Sequence, residues 1–388
     1  MISRNSFNGA YPLTRLGEVV EFLDSKRRPV TESDRRNGPY PYYGANGLQG
    51  TIDEYIFDEP LVLLAEDGGH FDDPGRGIAY RISGKTWVNN HAHVLRPGPN
   101  LDLAFLCCVL ENYNVTPFVT GTTRGKLTQA GAAEIVIPLP SLAEQRRIAE
   151  VLDRAEALRA RRRAALAKLD TLTQSIFLDL FGDPANNPRA WPENKLLGEA
   201  ADIVSGVTKG RSLQGKSTRE VPYLAVVNVQ DRFLNMSVVK KIEATEAEIQ
   251  QFKLLPDDLL LTEGGDPDKL GRGTLWNGEL PECIHQNHVF RVRLKSSDLH
   301  PLFLNWLVGS SRGKRYFLRS AKQTTGIASI NMTQLRGFPL LIPPINLQCE
   351  FACRVAAVER LNIASRASLA GLDALFAVLQ HRAFRGEL

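Results

Sequence analysis

The chain has 388 residues, 43% hydrophobic and 23% charged, the composition of a globular protein long enough for two or more domains. No apolar run reaches the ~20 residues of a membrane span, and the opening Met1-Ile2-Ser3-Arg4-Asn5 lacks the apolar stretch of a secretory signal. Five irregularly spaced cysteines and a net charge of +4 suit a reducing, cytoplasmic setting with no membrane partner, and permit a nucleic-acid partner without demanding one.

Residues 1–140 carry 13 Lys and Arg against 16 Asp and Glu, a net of −3. DNA binding by this half therefore rests on local basic clusters. Lys26-Arg27-Arg28 and Arg35-Arg36 bracket a loop leading to Tyr42, Tyr43 and Asn46. Basic residues beside aromatics and glycines suit phosphate contact, or equally a solvated charged loop. Arg76 lies in a Gly-Arg-Gly turn. Next, Asn89-Asn90-His91-Ala92-His93 places amide and imidazole groups between strand-like runs. Such groups read bases in a groove or hold a turn through a buried network. Arg124 and Lys126 belong to a glycine-bounded turn that meets phosphate or is ordinary surface.

Residues 141–181 follow as a long helix, opened by the capping-box spacing of Ser141 and Glu144 behind Pro138 and Pro140. Its expected apolar seam is Ile148, Val151, Ala155, Leu158, Ala165, Leu169, Leu172 and Ile176, interrupted by Arg162. A breaker-rich linker, 182–194, leads to residues 195–343, where 20 basic residues face 15 acidic ones for a net of +5. The DNA-facing candidates here are Lys209, Arg211, Lys216, Arg272, Arg312, Lys314, Lys322 and Gln323, with Gln286, Asn287 and His288 in a second amide–imidazole run. A second helix is expected over 344–388, its seam being Phe351, Val358, Leu361, Leu372, Leu375 and Leu379. Two matching stripes are natural antiparallel coiled-coil partners, and some 40 residues make a rod of ~60 Å.

The chain repeats itself. Gln145 to Phe181 overlay Gln348 to Phe384 without a gap at an offset of 203 residues, with about a third of the positions identical. Upstream the correspondence is looser: Leu16-Gly17 with Leu197-Gly198, Leu64-Ala65-Glu66 with Leu261-Thr262-Glu263, and Asn89 to His93 with Gln286 to His288. Kept helices beside diverged globular parts imply one shared job and two different ones.

Motifs for chemistry are missing. Gly121 to Lys126 and Gly309 to Lys314 are each one residue short of a phosphate-binding loop, and Leu127 and Arg315 replace its hydroxyl residue. The His91-x-His93 and Cys283-x-His285 pairs lack a second ligand pair, so no metal is expected. Nucleophile, zincin and paired-carboxylate patterns do not stand out. A reader is favoured over a catalyst. The rival readings are a stand-alone DNA-modifying or DNA-cleaving enzyme with an unrecognised site, and a protein-binding scaffold.

Leu16-Gly17-Glu18 and Leu197-Gly198-Glu199 open each half, followed by the Lys26 to Pro29 run and Tyr42-Tyr43-Gly44-Ala45-Asn46-Gly47. Then come Asn90-His91-Ala92-His93-Val94, Ile137-Pro138-Leu139-Pro140, Glu144-Gln145-Arg146-Arg147-Ile148 and the terminal Ala383 to Leu388. In this order the chain resembles the specificity (S) subunits of type I restriction-modification systems along nearly its whole length. The resemblance implies an α+β protein of two α/β target-recognition domains with mixed or antiparallel sheets, and two antiparallel helices between them. Each domain would read one part of a bipartite double-stranded DNA target. The helices would set the gap and dock two methyltransferase (M) subunits, with restriction (R) subunits joining. Docking candidates are Glu144, Gln145, Arg146, Arg147 and Gln348. S-adenosylmethionine and ATP would belong to the partners, with no cofactor on this chain.

Overall fold

The computed structural model describes residues 7, 11–73, 76–121, 125–265, 270–324 and 327–388, with backbone alone at 322–324 and 327. The chain divides into two compact units. Unit one is Met1–Ala165 with Ser365–Leu388, and unit two is Leu166–Ala364, so the division falls inside the long helices.

Unit one runs β1 (Val20–Phe22), β2 (Tyr40–Gly44), β3 (Gly47–Ile52), β4 (Phe57–Asp58), β5 (Leu61–Ala65), β6 (Ala79–Ile82), β7 (Lys85–Val88), β8 (Ala92–Pro97) and helix α1 (Leu103–Leu110). An antiparallel sheet of order β1-β8-β5-β6 forms the centre, and a second of order β3-β2-β7-β4 contains one parallel pair, β2 with β7. The continuous apolar run Leu61-Val62-Leu63-Leu64-Ala65 is fully buried because β5 is an inner strand. Asp102 caps α1 by accepting the Ala104 and Phe105 N–H groups. Helix α2 (Leu142–Phe181) follows; Ser141 accepts the Glu144 N–H, while Glu144 accepts from Tyr11 and Arg147 rather than closing a capping box.

Unit two repeats the plan. It runs β9 (Ala201–Ser205), β10 (Arg219–Leu224), β11 (Lys240–Ala244), β12 (Leu259–Thr262), β13 (Gly273–Leu275), β14 (Ile284–His285), β15 (Val289–Leu294), α3 (Pro301–Val308), α4 (Ser311–Ser320) and α5 (Ile345–Ala383). The central sheet has order β9-β15-β12-β13, and the second sheet, β11-β10-β14, again contains one parallel pair, β10 with β14. Its core is aromatic: Phe177, Phe181, Phe303, Trp306 and Phe351 pack with ring centroids 4.7–5.9 Å apart. The expected Gly309 to Lys314 turn is a helix instead, because Ser310 accepts the Gly313 N–H and starts α4.

The long helices run antiparallel within each unit. In unit one Arg147 donates to the Leu388 carbonyl and Arg159 to Asp373; in unit two Phe177 and Phe181 stack against Phe351. The inward stripe differs from the expected seam. On α2 it is Gln145, Ile148, Leu152, Ala155, Arg159, Arg162, Leu166, Leu169 and Thr173, all buried or half-buried. On α5 it is Gln348, Phe351, Val355, Val358, Asn362, Ser365, Leu369, Leu372 and Phe376, the same positions shifted by 203, with Leu379 half-buried beside it. Leu158, Leu172, Leu361 and Leu375 are instead exposed, at 51%, 39%, 55% and 49%, while Val151 and Ile176 are half-buried beside the stripe. A count of apolar residues slips by one position here, because Arg159, Thr173, Asn362 and Ser365 hold true seam positions. Helix α5 also stops at Ala383, where the chain turns and buries Phe384 against Phe7 and Phe105.

By length and composition α5 is apolar enough to cross a membrane, with a hydropathy of 1.2 over its most apolar window, of which 11% is buried. Its seam side is occupied by α2 in each unit, and its outward Leu361, Ile363, Leu375 and Val378 are exposed among Glu359, Arg360, Arg366 and Asp373.

Candidate nucleic-acid interface

The parallel strand pair sets the same local geometry twice. In unit one Tyr42 lies opposite Trp87 and Tyr43 opposite Val88, after which β7 turns through Asn89-Asn90-His91 into β8. In unit two Tyr223 lies opposite Ile284 and Leu224 opposite His285, after which β14 turns through Gln286-Asn287-His288 into β15. Register thus equates Tyr42 with Tyr223 and His91 with His288. Each histidine at the turn pairs through Nδ1 with an acid from the end of the inner strand, Asp67 for His91 and Glu263 for His288. Each turn also returns a backbone bond, Glu66 N–H to the His91 carbonyl (2.9 Å) and Glu263 N–H to the His288 carbonyl (3.0 Å). A cation covers the equivalent tyrosine in both units: Arg35 Cζ is 4.0 Å from the Tyr42 ring centre, and Lys209 Nζ is 5.2 Å from that of Tyr223.

In unit one these parts line a groove. Arg35, Tyr42, Gln49, Asn89, Asn90 and His91 surround a cavity of about 540 Å³ together with Pro29 to Glu32. Gln49, absent from the expected site, accepts the Asn89 side-chain N–H through its Oε1 (3.2 Å). A Cβ on Gly44 would sit 2.3 Å from Gln49 Nε2, so a side chain there would push this pair aside. No local sequence signal marks Gln49; the β2–β3 pairing brings it there.

Several expected contacts are tied inside the fold. Arg27, 12% exposed, pairs with Glu66 and Asp24 and donates to the Ala92 carbonyl (2.7 Å). His93 is 1% exposed, its ring nitrogens 2.6 Å from Asp24 and 2.8 Å from the Leu127 carbonyl. Burial pushes the Asp24 carboxyl up, but His93, the Val94 N–H and Arg27 together hold it below its usual range. For Glu66 burial is likewise outweighed by Arg27 and Lys126. Asp24, Glu66 and His93 lie close enough to invite a cation, with ligand atoms within 4.8 Å. The cluster fits none, because Arg27 and Lys126 already neutralise its carboxylates. Tyr42 is 2% exposed and bonds the Val30 backbone both ways, and Asn89, 4% exposed, accepts the His91 N–H.

In unit two Arg211 is held by Glu248, whose carboxyl that bond brings down to about 2, and by the Thr208 and Glu243 carbonyls. Arg312 pairs with Glu193 and so pins the linker onto α4. Arg272 donates to Gln230, and its Nε is buried without a partner among the described residues. Lys26, Arg28, Arg36, Asn46, Arg76, Asn90, Lys126, Lys209, Lys216, His288 and Lys314 are exposed; Tyr43, His91, Gln286 and Asn287 are half-exposed. Arg124 lies outside the described residues, as do the side chains of Lys322 and Gln323.

The expected docking glutamines are buried. Gln145 accepts the Asp102 N–H (2.7 Å) and donates to the Asn100 and Pro140 carbonyls (2.9 and 2.8 Å). Gln348 accepts the His300 N–H (2.8 Å) and donates to the Asp298 and Pro343 carbonyls (2.9 and 2.7 Å). Each fully buried glutamine staples a long helix to the capped start of α1 or α3. Glu144 and Arg147 pair with each other, leaving Arg146, 71% exposed, as the outward residue of that group.

Residues 11–168 match the model of the type I restriction modification DNA specificity domain. A putative type I restriction enzyme specificity subunit of Haemophilus influenzae is 40% identical over 143 residues, 37% of each chain. The StySPI specificity subunit of Salmonella potsdam is 25% identical, and the EcoKI specificity subunit of Escherichia coli 24%, each over 84% of this chain and 74% of the relative. The chain thus spans about a third of the first relative's length and about three-quarters of the other two. The type I S subunit of M. genitalium has the same fold, with a TM-score of 0.59 at 14% identity over 97% of both chains. So has a chain solved in work on the assembly and conformational transition of the type I system, with a TM-score of 0.56 at 18% identity over 97% of this chain and 98% of that one. Residues 11–168 thus resemble the type I specificity domain, and the duplicated fold along the chain is that of solved type I S subunits.

Proposed function

We propose that this chain reads a bipartite double-stranded DNA target for a type I restriction-modification complex and performs no chemistry itself. The observation that carries the reading is the doubled turn: one backbone framework, with His91 and His288 held in the same way and an asparagine before each, presents Asn89, Arg35 and Gln49 in unit one but Gln286 and Lys209 in unit two. A kept frame with changed side chains is what two different half-sites require. Exposed Lys26, Arg28, Arg36 and Lys216 supply backbone contacts around it.

The helices fix the unspecified gap and offer their outward faces to two methyltransferase subunits, with restriction subunits joining that complex. Exposed Leu158, Leu172, Leu361, Ile363, Leu375 and Val378 support this better than the buried glutamines do. S-adenosylmethionine and ATP are assigned to those partners. The test is to co-express the chain with its genomic neighbour methyltransferase and map modified bases in the host DNA. A two-part motif lost without this chain, one half of which changes when residues 1–140 are exchanged, is the expected result. Modification that is unchanged without this chain overturns the reading.

A further inference from the structure

The β2–β3 hairpin of unit one carries a register shift. Tyr42 lies opposite Gly50 and Tyr43 opposite Leu48, which makes Gln49 the extra residue of a β-bulge. A bulge re-aims the side chain it carries. Gln49 is exposed, and it lines the cavity that Arg35, Asn89, Asn90 and His91 also line. In unit two β10 and β11 pair without such a shift.

A chain of bonds that starts at the backbone holds the Gln49 carboxamide in one orientation. The His91 N–H can only donate, so the Asn89 atom that meets it at 2.8 Å is Oδ1. The other end of that amide is then Nδ2. It too can only donate, so the Gln49 atom 3.2 Å away is Oε1. Asn89 is 4% exposed, and its backbone N–H is bonded to the Tyr43 carbonyl (3.0 Å), so the relay is anchored inside the fold. Among the described residues nothing else bonds the Gln49 carboxamide, which keeps one Oε1 lone pair and both Nε2 protons.

We propose that Gln49 reads an adenine in the half-site of unit one. Oε1 accepts from the adenine N6 amino group while Nε2 donates to N7, the bidentate pair that an amide makes in the major groove. Asn89 is the positioning residue that fixes which end of the amide meets which atom. The proposal rests on the reading of this chain as a DNA-reading subunit. A reversed carboxamide would set Nε2 against the N6 amino group and Oε1 against N7, donor to donor and acceptor to acceptor. Guanine presents N7 and O6, both acceptors, so Oε1 would face O6 unmatched.

The full chain, purified in complex with its genomic neighbour methyltransferase, selects from duplexes with randomised positions, and the bound fraction is sequenced. The half-site of unit one is the half that changes when residues 1–140 are exchanged. Gln49→Glu keeps an oxygen for Asn89 to donate to but presents acceptors alone, which suit the N4 amino group of cytosine. It is expected to lower the ratio of adenine to cytosine about tenfold or more at one adenine position of that half, leaving the other half as it was. Asn89→Asp puts an acceptor where Nδ2 stood, turns the Gln49 amide round and relaxes the same position although Gln49 is unchanged. Should that variant fail to fold, Gln49→Glu decides. Base frequencies unaltered by Gln49→Glu, weaker binding with no change of preference, or a changed position that is not adenine in the wild-type motif overturns the proposal and leaves the DNA-reading role intact. A complex that enriches no motif overturns both.

Discussion

Replacing Gln145 by methionine keeps most of the side-chain volume and removes three hydrogen bonds at once. At about 1 kcal/mol net per bond the loss is about 3 kcal/mol. It rises toward about 5 kcal/mol because the Asp102 N–H and the Asn100 and Pro140 carbonyls lose a partner that sits fully buried beside them. The chain has two units, so a single unfolding midpoint would blur the effect. Native-state hydrogen exchange resolves it. The amides of Leu103–Leu110, whose helix begins at the bond that Gln145 makes, should exchange at least about 100-fold faster in Gln145→Met, as ~3 kcal/mol requires. Amides of Leu302–Val308 should not change. Gln348→Met should do the reverse, since His300 stands to Gln348 as Asp102 does to Gln145. An acceleration below about tenfold, or an equal one in both units, would refute the staple reasoning and return the glutamines to a docking role.

Four further outcomes follow from the same structure. Arg36→Ala should weaken binding to every duplex and lower the salt slope by about 0.9, whereas Arg211→Ala, whose guanidinium is held by Glu248, should leave the slope unchanged in a salt titration. Asn90→Ala should relax base preference at one position of one half-site, which competition among single-base target variants reads directly; equal weakening on all targets would make Asn90 a backbone contact. Burial pushes His285 down to about 4, so the folded state holds it neutral while the unfolded chain takes up a proton near 6.5. That stability is present above about pH 6.5 and is lost as pH falls toward 4, by about 3 kcal/mol in all; the acid loss measured for unit two should shrink in His285→Asn. Phe351→Ala, emptying the centre of the aromatic cluster in unit two, should cost about 3–5 kcal/mol in urea unfolding followed by tryptophan fluorescence.

Much of the site was legible because short-range chemistry leaves short-range marks. The two amide–imidazole runs and the basic loop before Tyr42 are contiguous, and all fall on the doubled frame. What could not be read was which polar groups the fold consumes. Arg27 and Arg28 are neighbours in an identical local context, yet Arg27 is sealed between Glu66 and Asp24 while Arg28 is exposed. Arg27's fate depends on an acid 39 residues away as well as on one three residues away, and so on strand order. Gln49 shows the converse, reaching the groove only through strand pairing.

The sequence alone determined the duplication, the helical character of its two best-kept segments and the lack of a catalytic motif, since period and composition are local properties of the chain. Tertiary structure decided the helix seam, the burial of Gln145 and Gln348, and the partnering of each charge. An apolar count leaves Arg159 and Asn362 off the seam altogether. In the folded protein both face inward, one because Glu156 and Asp373 compensate its charge, the other beside Glu359 and a cavity. Whether a polar residue can occupy a seam depends on what meets it from distant parts of the chain, and that is information only the fold contains.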